Sequence, residues 1–168
     1  MRRVFCLLIA LMLLISFPSC KQEEDPSVRF FYLRNEFVYG AEDGVIASEE
    51  RDIAVEDMGY LLALYLDGPQ TETLISPFPK GTRLISTHML DGILTLELSS
   101  EFAVLEDVKL SLAAGCIVST CFDLSEATAV RIVSQSRKND ISITLTRDSL
   151  TLANNSIPNT ETETPSGQ

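Results

Sequence analysis

Two apolar runs separated by Asp91–Gly92 constrain this chain more than any other stretch. Residues 83–90 and 93–98 flank the pair. Asp-Gly between β-type runs favours a two-residue hairpin turn, because both turn positions take positive φ, which Gly adopts freely and Asp tolerates. In the second run Leu94, Leu96 and Leu98 alternate with Ile93, Thr95 and Glu97. Side chains leave a strand on opposite faces in turn, so these leucines share one face and need a core to cover it.

The cover is expected from two helices. Val55, Met58, Leu61, Leu62, Tyr65 and Leu66 fall at helical spacing over residues 55–66. Asp67, Gly68 and Pro69 stop that helix, since Gly takes the left-handed cap conformation and Pro cannot continue. A second helix is predicted over residues 106–122, with Ser99 or Ser100 as a candidate cap. Its apolar residues, among them Val108, Leu110, Ile117 and Val118, circle nearly the whole helix. A helix without a polar face is buried on more than one side. Any part left exposed is a candidate contact surface.

Further strands are read at residues 28–33, 129–134 and 141–146, the last as an edge strand with Ile141, Ile143 and Leu145 inward. A turn near Arg34–Asn35 leads to an irregular strand over residues 36–39 and 45–47, broken by Gly40 and Gly44. The order ββαββαββ predicts an α+β two-layer sandwich, with two helices packed on one face of a mostly antiparallel sheet. Residues 28–147 are enough for a single domain.

The ends read differently. Arg2 and Arg3 precede an uncharged apolar run over residues 4–17, and small Ser19 precedes Cys20. The run has signal-segment length and is short for a membrane span. Residues 1–19 are therefore expected to be a signal peptide and residues 20–27 a polar tether. Residues 154–168 are polar and expected to be disordered. The whole chain carries −11; without residues 1–19, Lys and Arg fall from 13 to 11 against 24 Asp and Glu, a net −13. Charge of that sign repels phosphate backbones, so nucleic acid is not an expected partner.

Catalytic signals are absent. His88 is the sole histidine and sits in a predicted strand, where a surface or packed role is favoured over a base. No zinc-ligand spacing, phosphate loop or nucleophile elbow occurs, so no metal, cofactor or catalytic residue is expected. Cys116 and Cys121 are five apart, about 7.5 Å of helical rise and beyond disulfide reach if the helix is continuous. Glu97 and Glu101 are read as a solvated strand end. A loop bearing Gly68, Pro69, Pro77, Pro79 and Gly81 is the candidate ligand or partner site, although turn chemistry alone accounts for those residues.

Four segments carry a resemblance. YLLALYLDGP at residues 60–69, SPFPKGTRL at 76–84, DGILTLELSSEF at 91–102 and ATAVRIVSQSR at 127–137 resemble, in order, the helix, loop, hairpin and closing strand of the sporulation and spore germination (GerMN) domain. Residues 1–20 resemble the bacterial lipoprotein signal, which implies diacylation at Cys20. The GerMN resemblance implies a fold similar to ring-building modules, no enzymatic activity and an exported lipoprotein on the outer face of the cytoplasmic membrane. The expected function is that of a membrane-tethered interaction or assembly module in sporulation or germination. Its expected partners are the membrane, through the lipid, and envelope proteins or other copies of itself. The alternative is an envelope ligand-binding or peptidoglycan-associated hydrolytic protein.

Overall fold

The hairpin forms where its turn chemistry places it. In the structure, a computed structural model that describes residues 27–36 and 44–149, Asp91 and Gly92 have φ of 50° and 77°. They join β4 (Leu84–Leu90) to β5 (Ile93–Leu98). Leu94, Leu96 and Leu98 are all buried. The Gly92 carbonyl accepts from the backbone N–H of Thr128 at 2.8 Å, so the turn also fixes the start of β6 (Ala129–Gln135).

β6 lies parallel to β5 and antiparallel to β7 (Asp140–Thr146), giving a four-stranded sheet of order β4-β5-β6-β7. A parallel pair requires a crossover. Here it is a short 3₁₀ turn (Phe102–Val104) followed by helix α2 (Asp107–Leu124). Val130 and Ile132 extend the leucine face of β5, and Ile141 continues it onto β7.

The remaining strands form a second sheet of order β2-β1-β3: β1 (Ser27–Arg34), β2 (Ile46–Asp52) and the two-residue β3 (Leu74–Ile75). Helix α1 (Met58–Leu66) lies against β4, and α2 lies against β1. Phe30, Tyr32, Leu62, Tyr65, Ile117, Val118 and the β5 leucines belong to one buried cluster. The architecture is α+β, as the element pattern implies, with its strands divided between two sheets.

Helix α2 approaches β1 closely. A Cβ on Gly115 would lie 3.3 Å from Ile46 Cδ1, so a larger residue there would require the Ile46 side chain to give way. Near the open part of the β1 edge, Thr120 Oγ1 accepts the Phe31 backbone N–H at 3.0 Å and Asp123 pairs with Arg29. The α2 hydroxyl thus satisfies a strand donor that would otherwise lack a partner.

Several local expectations change. Helix α1 starts at Met58 rather than at 55, because the Asp57 carboxylate accepts the Tyr60 N–H at 2.7 Å and caps it; Val55 stays outside, 43% exposed. β2 runs on through the charged stretch to Asp52. β3 interrupts the segment read as an unbroken loop. Ser99 does not cap with its side chain: its Oγ accepts the Arg83 N–H at 2.9 Å, tying the hairpin base together. The expected strand over 37–39, Cys20 with its tether and the 154–168 tail lie outside the described residues. Among the described residues no helix is long and apolar enough to cross a membrane.

Candidate functional site

The 68–81 loop owes its shape to two charged side chains on β2. Glu49 and Arg51 are two residues apart, so they leave the strand on the same face, and both are buried. Arg51 Nε donates to Glu49 Oε1 at 2.7 Å, and Nη2 pairs with the same carboxylate. Nη2 also reaches the Gly68 carbonyl at 2.7 Å and the Tyr32 hydroxyl at 3.2 Å. The guanidinium lies 4.8 Å from the Phe30 ring centroid. A cation at the end of α1 meets the negative pole of the helix, where carbonyls lack intrahelical donors.

Glu49 completes the clamp from the other side. Its carboxylate accepts the backbone N–H groups of Gln70, at 3.1 Å, and Thr71, at 2.9 Å. Burial pushes the Glu49 carboxyl up, but the hydrogen bonds from Arg51, Thr71 and Gln70 outweigh it and hold the group below its ordinary value. Tyr32 donates to the Tyr65 carbonyl at 2.8 Å, and Tyr65 donates to the Phe31 carbonyl at 2.8 Å. Burial pushes both phenols well above their usual range.

This network absorbs the first part of the predicted site. Gly68, at φ +106°, takes a conformation that suits glycine and presents its carbonyl to Arg51. Pro69 follows it, half-buried. Pro77 and Pro79 flank buried Phe78, which makes an edge-on contact with Tyr65 at 5.2 Å. Gly81 has φ +91°, and the Pro79 carbonyl accepts the Thr82 N–H and hydroxyl at 3.1 and 2.8 Å. These residues belong to one turn system pinned to the core.

The other residues singled out in the sequence do not converge. His88 is exposed on β4, in register with Thr95. Glu97 accepts the Ser86 hydroxyl at 2.9 Å, whereas a hydrogen bond with Ser99 is the main cause lowering the Glu101 carboxyl. Cys116 and Cys121 are free and buried on an unbroken helix. Burial pushes the Cys116 thiol up to about 12 and Cys121 higher still. Among the described residues no cluster of His, Cys, Asp and Glu could hold a metal ion. An open concavity of about 830 Å³ at the hairpin end is bordered by Asp91, Glu126, Thr128 and Asp148.

Glu49 and Arg51 are the residues that sequence reasoning missed. Opposite charges at i and i+2 beside an apolar stretch are the available signal, but the same pattern describes a solvated strand edge. Most of the apolar surface of α2 is covered, Ile117 and Val118 fully and Leu110 by half, whereas Val108 in its first turn stays 70% exposed.

The hairpin, the clamped turn after α1 and the parallel β5–β6 crossover lie within residues 31–140, where the family model Germane, described as sporulation and spore germination, matches the chain. The chain belongs to the Germane family. Two solved structures are similar to it at low identity. The tandem GerMN domains of the sporulation protein GerM from Bacillus subtilis match at 18% identity and a TM-score of 0.49, covering 70% of this chain and 44% of that one. A Clostridium perfringens protein, described provisionally as a lipoprotein, matches at 23% identity and a TM-score of 0.44, covering 74% and 89%. This chain thus spans less than half of the tandem-domain structure. None of the curated proteins matches it. The Germane match ends at residue 140, where β7 begins, so the outer strand of the four-stranded sheet lies almost wholly beyond it.

Proposed function

We propose that this Germane protein is a non-enzymatic cell-envelope module, held to the outer face of the cytoplasmic membrane by lipid on Cys20, that works through protein contacts in sporulation or germination. The observation that carries the reading is the Glu49–Arg51 clamp. The most site-like loop of the chain has the backbone groups of Gly68, Gln70 and Thr71 bound to the protein itself. A turn whose backbone groups at 68–71 are bound by the protein itself supports a scaffold for a surface over a receptor for a small ligand. The basic, apolar, small-residue order of residues 1–20 supports export and anchoring. Two acyl chains are what stable attachment needs.

The test is genetic and chemical together. Cells lacking the gene are complemented with the wild-type chain or with Cys20→Ala, and palmitate incorporation, spore yield and germination are scored. The wild type is expected to incorporate palmitate and restore the defect, and Cys20→Ala to do neither. Equal labelling of the two chains overturns the anchor. Normal sporulation and germination without the gene overturn the process.

A further inference from the structure

We infer that Arg147 is a latch: the turn after β7 reaches back to hold the last two turns of α2 on β1, and its release opens the edge of β1 at Arg29–Phe31. The inference goes beyond the contact reading above and does not depend on it.

The end of α2 draws its support from distant parts of the chain. Its last turn carries no cation and bears Asp123, an anion at the negative pole of the helix. The final carbonyls lack intrahelical donors and need partners from outside. Ser125 supplies one locally, donating to the Cys121 carbonyl at 2.7 Å. Two arginines supply others. Arg29, near the start of β1, pairs with Asp123. Arg147, the residue after β7, donates from Nη2 to the Phe122 carbonyl at 2.9 Å and to the Ser125 carbonyl at 3.4 Å. Its guanidinium lies 4.5 Å from the Phe122 ring centroid, within cation–π range. The hydroxyls of Thr146 and Ser149 bond at 3.0 Å and turn the chain at this point. The first and last strands therefore meet at one helix end.

What the latch holds is the cover of β1. On one side β1 pairs with β2 along its length, but on the other it pairs with β3 only through Leu33 and Arg34. Beside residues 29–31 stands α2 instead of a strand, with Thr120 accepting the Phe31 N–H and Asp123 holding Arg29. Lifting the last turns of α2 removes both contacts. The seam is also incompletely filled. A concavity of about 270 Å³ remains between Phe31, Ser119, Phe122, Asp123 and Arg147. Exposed hydrogen bonds over a poorly filled seam are where folded proteins open locally. Arg147 itself is exposed, and on its other flank it borders the concavity of Asp91, Glu126 and Asp148. A released guanidinium thus meets carboxylates, which lowers the cost of letting go.

The two cysteines of α2 supply the test. Cys121, beside Phe122, and Cys116, farther up the same helix, are both free and fully buried. Labelling follows access to the thiol, so the pair reports whether the helix end lifts alone or the whole helix leaves the core. The full chain in detergent is alkylated at pH 8 and each cysteine is read by mass spectrometry. Arg147→Met keeps an apolar stem over Phe122 but donates nothing. Losing hydrogen bonds from a charged group is expected to raise Cys121 labelling at least about tenfold, with Cys116 unchanged. Arg147→Lys, a milder change that keeps the cation but loses the planar fork, is expected to raise it about threefold, again at Cys121 alone. Hydrogen exchange of the Phe31 amide is expected to quicken in step with Cys121 in both variants. Unchanged Cys121 labelling overturns the latch. So does equal acceleration at both cysteines, which means that Arg147 only adds stability to the whole core. Faster Cys121 labelling with an unchanged Phe31 amide overturns the link to β1.

Discussion

Replacing Arg51 with Met is expected to remove a large share of the domain's stability at neutral pH and much less in acid. The substitution keeps a long apolar stem beside Phe30 but deletes the cation. It leaves the Glu49 carboxylate, whose side chain is 5% exposed, without its ionic partner, and it strips the Gly68 carbonyl of its 2.7 Å donor. Breaking a buried pair from one side costs about 3–5 kcal/mol, chiefly through the charge left behind. A small domain holds about 5–15 kcal/mol in total. The sign of the pH effect follows from the two states of Glu49. In the wild type its carboxyl lies below its unfolded value, so its contribution is complete above that value and is lost as pH falls through the folded one. In the variant the Arg51 hydrogen bond is gone while burial and the bonds from Thr71 and Gln70 remain, so the folded value is expected to move up, past the unfolded one. The penalty then appears as pH rises past the unfolded carboxylate value, about 4.3, and fades below it. Urea unfolding followed by circular dichroism, at pH 7 and pH 4, reads both numbers. Glu49→Gln together with Arg51→Met is expected to recover at least about 1 kcal/mol of the single-variant loss at pH 7, since no orphan charge remains. A single-variant loss under about 1 kcal/mol at pH 7, an equal loss at both pH values, or strictly additive losses would refute the clamp as described.

Two further outcomes test the core. Gly92→Ala is expected to destabilise by about 1–3 kcal/mol, because φ is +77° and the new Cβ would sit 2.9 Å from Thr128 Oγ1, whereas Asp91→Asn stays within about 0.5 kcal/mol; thermal melts compare the two. Cys116 and Cys121 are expected to resist alkylation at pH 8 in the folded protein and to react once it is unfolded, as read by mass spectrometry, since the Cys116 thiol is pushed up to about 12. Rapid native labelling of either would mean that α2 opens.

Local rules were legible wherever one face of an element is apolar and its ends carry strong punctuation. The β4–β5 hairpin, the leucine face of β5, the stop at Gly68–Pro69 and the extent of α2 all came from such signals. The start of α1 did not, because Val55 continues the apolar period while the Asp57 cap fixes the true boundary. The charged half of β2 was unreadable for a related reason. Glu49 and Arg51 are core residues only because each supplies what the other, and the turn after α1, lacks.

What the sequence by itself determined is the period of each element and the chemistry of its turns, which depend on residues within a few positions of one another. Asp91–Gly92 and the leucines at 94, 96 and 98 needed no distant partner to be read. Only the tertiary structure decided that the strands divide into two sheets, that Thr120 on α2 satisfies a donor on β1, and that a buried ion pair holds the 68–71 turn. Those outcomes join groups far apart in the chain. Their free energy comes from desolvation and hydrogen bonding between surfaces that exist only once the chain has folded.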